Sequence, residues 1–320
     1  YFAACMNEEA VEKRGVEPLA TDLARIAAMN SVKELPATLA RLQFDTASSG
    51  FFFGFGSNQD FADSSSVIAF AVAGGLGLPD RDYYFKTDAK SQSIRDKYVA
   101  HIATMLKLLG DSDELARRSA AAVMTIETAL ASASLSMVDK RDPYKSFHKM
   151  NGKQLRALTP SFDWNQYLKG VGADRVTKFN VTEPEFFKAF DDLLKSSNLH
   201  DIKTYMRWHL VKSAAPHLSS PFVAENFSFF SQTLRGVPQL KPRWKRCVAM
   251  VDTQLGEALG QEFVNRNFSP ALKQKTLHMT RQIEQAFEED VNKLSWMSAA
   301  TKKRALEKLH TVVNKIGYPD

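Results

Sequence analysis

A capping residue followed within two positions by proline recurs along the chain, at Thr182-Glu183-Pro184-Glu185, Ser220-Pro221 and Ser269-Pro270. Proline has no amide donor and a fixed φ, so a helix accepts it in its first turn and resists it elsewhere. Each pair therefore marks a helix start, and the first adds a capping-box pattern ahead of Phe186, Phe187, Phe190 and Leu194. Apolar spacing with a helical period also runs through residues 8–28, through 32–43 behind Ser31, and through Ile94, Tyr98, Ile102, Met105 and Leu109, where Gly110 stops it. A further helix is expected over 112–134 with Asp111 and Glu114 as its capping pair, another from Lys241 through Val248, Val251 and Leu255, and a last one over 298–315. Only residues 51–56 and 66–72 alternate or cluster as strands do, with the polar span Ser57 to Ser65 between them. The expected fold is mainly α, a multi-helical lobe with a small β-hairpin near residues 51–72.

The 320 residues are 44% hydrophobic and 24% charged, as in an ordinary globular protein. No fixed-period repeat and no low-complexity linker divides them. The net charge is +6, and the strongest basic cluster runs from Lys241 to Arg246, around Trp244. This run leads into an apolar-periodic helix without any RNA-binding motif, so it reads as a solvated helix start, and no nucleic-acid partner is expected. The longest apolar stretch, Val67 to Leu78, is interrupted by glycine and falls short of the roughly twenty residues a spanning helix needs. Membrane anchoring is not visible.

Gly75-Leu-Gly-Leu-Pro-Asp-Arg-Asp-Tyr-Tyr84 follows neither period. Its glycines permit unusual backbone angles, and its Asp80, Arg81 and Asp82 would set a guanidinium between two carboxylates beside Tyr83. The bland reading is a clamp that closes the loop onto a core; the alternative is a surface that touches substrate. Glu127, on an alanine-rich helix, has no partner in sequence and reads as a salt-bridged helix residue. The aromatics Phe186, Phe187, Phe227, Phe229, Phe230, Trp208 and Trp244 read as core. Cys5 and Cys247, taken alone, read as two reduced thiols.

The decapeptide resembles a motif of the neprilysin and endothelin-converting-enzyme family of zinc metallopeptidases. So do Tyr1-Phe-Ala-Ala-Cys-Met-Asn7, Phe53-Gly-Phe-Gly56, Arg141-Asp-Pro-Tyr144, Asn226-Phe-Ser-Phe-Phe230, Leu234-Arg-Gly236, Pro242-Arg-Trp-Lys-Arg-Cys247, Leu294-Ser-Trp-Met297, Thr301-Lys-Lys303 and Lys315-Ile-Gly-Tyr-Pro-Asp320. These matches, in order, span essentially the whole chain. The family's chemistry needs His-Glu-x-x-His, in which two imidazoles one helical turn apart hold zinc and the Glu activates water. None of the seven histidines (His101, His148, His200, His209, His217, His278, His310) is followed by Glu or by a second His four residues on. No catalytic residue and no metal ligand is therefore expected in this chain, and no zinc bound by it.

The resemblance implies that residues 1–320 are the N-terminal helical, non-catalytic domain of a neprilysin-like peptidase, incomplete at both ends. The zinc motif is expected beyond Asp320, in a missing C-terminal catalytic domain, and the parent is expected to be a zinc metalloendopeptidase cleaving short peptides. The lobe would restrict access to that site and be inactive alone, with Asp80, Arg81, Asp82 and Tyr83 lining the chamber or clamping their loop. The resemblance also pairs Cys5 with Cys247, which implies a periplasmic or extracellular address. The alternative is a standalone, non-catalytic helical binding or interaction module.

Overall fold

The computed structural model describes residues 1–46 and 50–319. It is mainly helical with one small sheet, and the chain divides into two compact units, Asn7–Leu240 and the discontinuous pair Tyr1–Met6 with Lys241–Asp320.

In the larger unit, strands β1 (Phe53–Asp60) and β2 (Asp63–Ala73) form an antiparallel hairpin, from Phe53 opposite Ala73 to Gln59 opposite Val67. The expected connector, Ser57 to Ser65, is itself mostly strand. The reversal is confined to Phe61 and Ala62, where the Asp60 carboxylate accepts the Ala62 amide at 3.0 Å. Two short strands, β3 (Lys149–Asn151) and β4 (Lys178–Val181), complete the sheet in the order β1-β2-β4-β3, with β4 parallel to β2. Neither is long enough to leave a period-two signature in the sequence.

β1 begins at Phe53 rather than at residue 51 because Phe52 adopts a left-handed φ of 51°. Such a conformation in a bulky residue costs of order 1 kcal/mol or more and persists only where surroundings over-determine it. Here they do. The Phe52 amide donates to Tyr205 Oη at 3.0 Å, and that hydroxyl donates to the Gly75 carbonyl at 2.8 Å. The turn delivers Phe53 to the centre of an aromatic cluster, with the rings of Phe162, Trp164, Tyr167, Phe187 and Phe190 at 5.2 to 5.6 Å. Phe186, Phe187, Trp208 and Phe229 are likewise buried, whereas Trp244 stays 52% exposed at its helix start and is no core residue.

The helices depart from the sequence expectation mainly at their ends. Residues 8–28 split into Glu8–Arg14 and Ala20–Ala28, because Gly15 takes a positive φ and Pro18 opens a 3-10 turn. Ser31 precedes another 3-10 turn without a side-chain cap bond, and the helix proper is Leu35–Thr46. Ser112 caps Asp113–Ala133, while Asp111 turns away to make a paired contact with Arg207 at 2.8 and 3.2 Å. The Thr182 capping box does not form: Glu183 reaches back to the Leu135 amide and Lys140 instead. Ser219 rather than Ser220 precedes Ser220–Phe227, and Ser220 gives its amide to Glu12.

In the smaller unit, Ser269 caps Pro270–Lys293 as its motif implied. The last helix, Ala299–Leu309, ends six residues before Lys315. Cys5 and Cys247 are joined in a disulfide, and the Arg243 guanidinium donates to the Cys5 carbonyl at 2.8 Å.

That bridge closes a loop with a sequence separation of 242 residues. The chain-entropy relation gives it a stabilisation of about 5 kcal/mol, an upper figure because denatured chains retain structure. Reduction is therefore expected to lower the melting temperature measured by calorimetry. Two titratable thiols in untreated protein, with no change of melting temperature on adding reductant, would contradict the linkage.

Candidate functional site

The loop between β2 and the helix Ala89–Leu108 is held from beneath by one buried charge. Glu127 lies on Asp113–Ala133 with no exposed surface. Its two oxygens accept from Tyr84 Oη at 2.6 Å, Tyr98 Oη at 2.9 Å, Trp208 Nε1 at 3.2 Å and His209 Nε2 at 2.9 Å. A carboxylate only accepts, so His209 presents its Nε2–H. Burial alone would raise the Glu127 pKa. The hydrogen bond and charge of His209, with help from Tyr84 and Lys212, hold it below the ordinary 4.5. Burial conversely pushes His209 below 6.5, opposed by Glu127. The hydroxyls of Tyr84 and Tyr98 are pushed far up, first by burial and then by the Glu127 charge, so they remain donors.

The loop's glycines are explained by this cluster. A Cβ on Gly77 would lie 1.6 Å from Tyr98 Oη and 3.0 Å from a Glu127 oxygen, and Gly75 combines a φ of 75° with contact to Tyr205. Tyr84 Oη also accepts the Leu78 amide at 3.1 Å. A neighbouring imidazole extends the buried polar layer: His101 Nδ1 meets Glu225 at 2.7 Å while its ring stacks on Phe229, and burial lowers its pKa against the pull of Glu225.

The nominated residues sit above this base, but not as an ionic cluster. Asp80 uses a carboxylate oxygen to accept the Asp82 amide at 2.8 Å, Asp82 pairs with Lys86 at 3.3 Å, and Tyr83 offers its carbonyl to Arg95. Arg81 pairs with neither aspartate and lies over the Phe85 ring at 5.7 Å. Together with Gly74, Gly75, Leu135, Met137, Lys140 and half-buried Lys212, Asp80 and Arg81 line a cleft of about 380 Å³. Burial draws the Lys212 ammonium below the usual lysine range, with Glu127 opposing. A larger groove of about 740 Å³ lies against Phe55, Val67 and Tyr167, without any shielded charge. The smaller cleft is the candidate site. Glu127, read in sequence as a salt-bridged helix residue, is instead a fully buried carboxylate with four donors, and the sequence sign of that was its place among Val123, Ile126 and Leu130 on an apolar stripe; Tyr84, His209 and Lys212 were not singled out as its partners.

Among the described residues, no group of three or more His, Cys, Asp or Glu side chains could hold a metal ion. His209 and His101 are committed to Glu127 and Glu225, and both cysteines to each other. These residues do not fit a zinc site, and no chemical step here runs through one.

The chain belongs to peptidase family M13, whose model matches residues 1–319. That family is one of zinc metallopeptidases. The chain is 30% identical to human endothelin-converting enzyme 1 over 332 residues, covering all of this chain and 43% of that protein, and 26% identical to Drosophila melanogaster neprilysin-3, again over 43% of its length. It thus spans less than half of these relatives. Among solved structures, the Mycobacterium tuberculosis zinc metalloprotease ZMP1 in complex with inhibitor matches 97% of this chain and 46% of its own, at 33% identity and a TM-score of 0.88. PepO from Lactobacillus rhamnosis shares the fold at 18% identity and a TM-score of 0.82.

Replacing Glu127 with Gln is expected to cost about 3 kcal/mol, because donors aimed at a carboxylate lose their acceptor. Glu127, His101 and His209 all have folded pKa values below their ordinary ones, so each binds fewer protons folded than unfolded. The stability they contribute is complete above pH 6.5, erodes first through the histidines, and is lost through Glu127 below pH 4.5. Urea titrations at pH 7.5, 5.5 and 4.0 should show this acid limb, and show it flattened below pH 4.5 in E127Q. Coincident curves for the two proteins would remove Glu127 from its central place. Gly77→Ala is expected to destabilise by about 2 kcal/mol through overpacking against Tyr98; an unchanged urea midpoint would contradict the close approach.

Proposed function

We propose that residues 1–320 form the N-terminal helical, substrate-access lobe of a zinc-dependent endopeptidase that cleaves short peptides. The zinc-binding His-Glu-x-x-His segment then lies beyond Asp320, in a catalytic domain that is this lobe's principal partner. The observation that carries the reading is the family match over essentially the whole chain, combined with its span of less than half of the relatives.

On this reading the lobe contributes selection rather than bond cleavage. A packed helical wall excludes folded proteins and admits flexible peptides, and closure around a substrate keeps bulk water out of the chamber. The Asp80–Tyr84 loop serves as the clamp that holds its segment of the wall, anchored through Tyr84 to Glu127. The disulfide favours an oxidising compartment, periplasmic or extracellular. No described helix is long and apolar enough to cross a membrane.

The test is to read the coding sequence past Asp320 and assay both polypeptides. The longer product should carry His-Glu-x-x-His and hydrolyse short peptides in a chelator-sensitive manner, while residues 1–320 with added zinc should not. A natural stop codon at Asp320, or chelator-sensitive turnover by the purified 320-residue chain, would overturn the proposal.

A further inference from the structure

The cleft beside the Gly-Leu-Gly-Leu-Pro loop holds a guanidinium that the fold does not pair. Three cations, Arg81, Lys140 and Lys212, line it against one carboxylate, Asp80. Lys140 is compensated by Glu183 at 3.2 Å. Lys212 feels the buried charge of Glu127 without bonding to it, and Arg81 is left without an ion-pair partner. Among the described residues no hydrogen bond or ion pair reaches the Arg81 guanidinium, and its Nε is buried without a partner. Asp139 feels Arg81 only as the least of its influences, its carboxylate being held low chiefly by Lys145. Lys212 Nζ has one hydrogen bond among the described residues, to the Leu76 carbonyl at 3.5 Å, and lies 5.6 Å from the Phe230 ring. Its counter-charge, Glu127, already has its oxygens occupied by other donors.

A guanidinium left without acceptors inside a concavity forgoes its strongest available interactions, which are charge-assisted and, with a carboxylate, bidentate. Asp80 cannot substitute: its carboxylate is turned to its own backbone at Asp82. The cleft is also of ligand size. Its volume of about 380 Å³ falls within the usual range for small-molecule sites. Gly74 and Gly75 keep one wall free of side chains, and Leu78, Pro79, Leu135 and Met137 offer an apolar surface beside the charges.

We propose that this cleft binds the C-terminal carboxylate of a short peptide, with Arg81 and Lys212 as the carboxylate's partners and the terminal side chain resting on Leu135 and Met137. This deepens the peptidase reading, since it assigns the loop's arginine to substrate and its tyrosine to the clamp. It nonetheless concerns binding by this chain alone and needs no zinc.

Calorimetric titration of the 320-residue chain with N-acetyl-alanyl-leucine, with its C-terminal amide and with inorganic phosphate tests the proposal. The free acid should bind at least about tenfold more tightly than the amide, the scale of a lost charge-assisted pair. Phosphate should compete weakly. Arg81→Met and Lys212→Met should each weaken acid binding by about tenfold or more, and Arg81→Lys should retain part of it, with circular dichroism unchanged. Equal affinity for acid and amide, or no binding at millimolar acid, overturns the carboxylate assignment. Phosphate binding tighter than the peptide acid overturns the peptide in favour of a free anion. Because the acid–amide comparison uses the wild-type chain, it stands even where a variant fails to fold. Failure here leaves hydrolysis by a longer polypeptide untouched, so the two readings fail separately.

Discussion

A single ionised carboxylate, Glu127, sets much of the larger unit's internal geometry. Removed from water, its charge is tolerable only while donors surround it. Those donors come from three other segments: Tyr84 from the short helix after the glycine loop, Tyr98 from the helix Ala89–Leu108, and Trp208 with His209 from the helix Leu199–Ala214. Apolar packing is forgiving of small shifts, but four hydrogen bonds converging on two oxygens are not. The cluster therefore fixes where these segments stand relative to one another. It also explains why the loop above must pass as bare backbone at Gly77.

Tyr205 performs a related task one helical turn away from His209. Its hydroxyl joins the strained Phe52 turn to the Gly75 carbonyl, so the entrance to β1 and the exit from β2 share one anchor. The hairpin is thereby tied at its open end, where Phe53 enters the aromatic cluster. Brace and cleft are adjacent but chemically distinct: Tyr84 and Gly77 face a saturated carboxylate, whereas Arg81 lines a cavity with its Nε unpartnered.

The helical architecture was largely legible because caps, prolines and apolar periods act locally. Ser269-Pro270 and the stop at Gly110 worked as such signals should. Misplaced boundaries arose where a capping residue had a better partner far away in sequence: Asp111 left its helix for Arg207, and Glu183 left Pro184 for Leu135 and Lys140. The same non-locality hid the site. Glu127 looked unpartnered because its donors lie 29 to 82 residues away, and Arg81 looked paired because its aspartates are adjacent in sequence but turned elsewhere in space. β3 and β4 were invisible because strands of three and four residues owe their existence to pairing with β2 rather than to any pattern of their own.

The smaller unit is assembled from the first six residues and the last eighty, with the whole of Asn7–Leu240 inserted between them. During synthesis the partner of Cys5 follows it by 242 residues. At cellular elongation rates that is a wait on the order of tens of seconds, long enough for the inserted unit to collapse first. For that interval Cys5 is an unprotected thiol, and the unit that owns it cannot be completed.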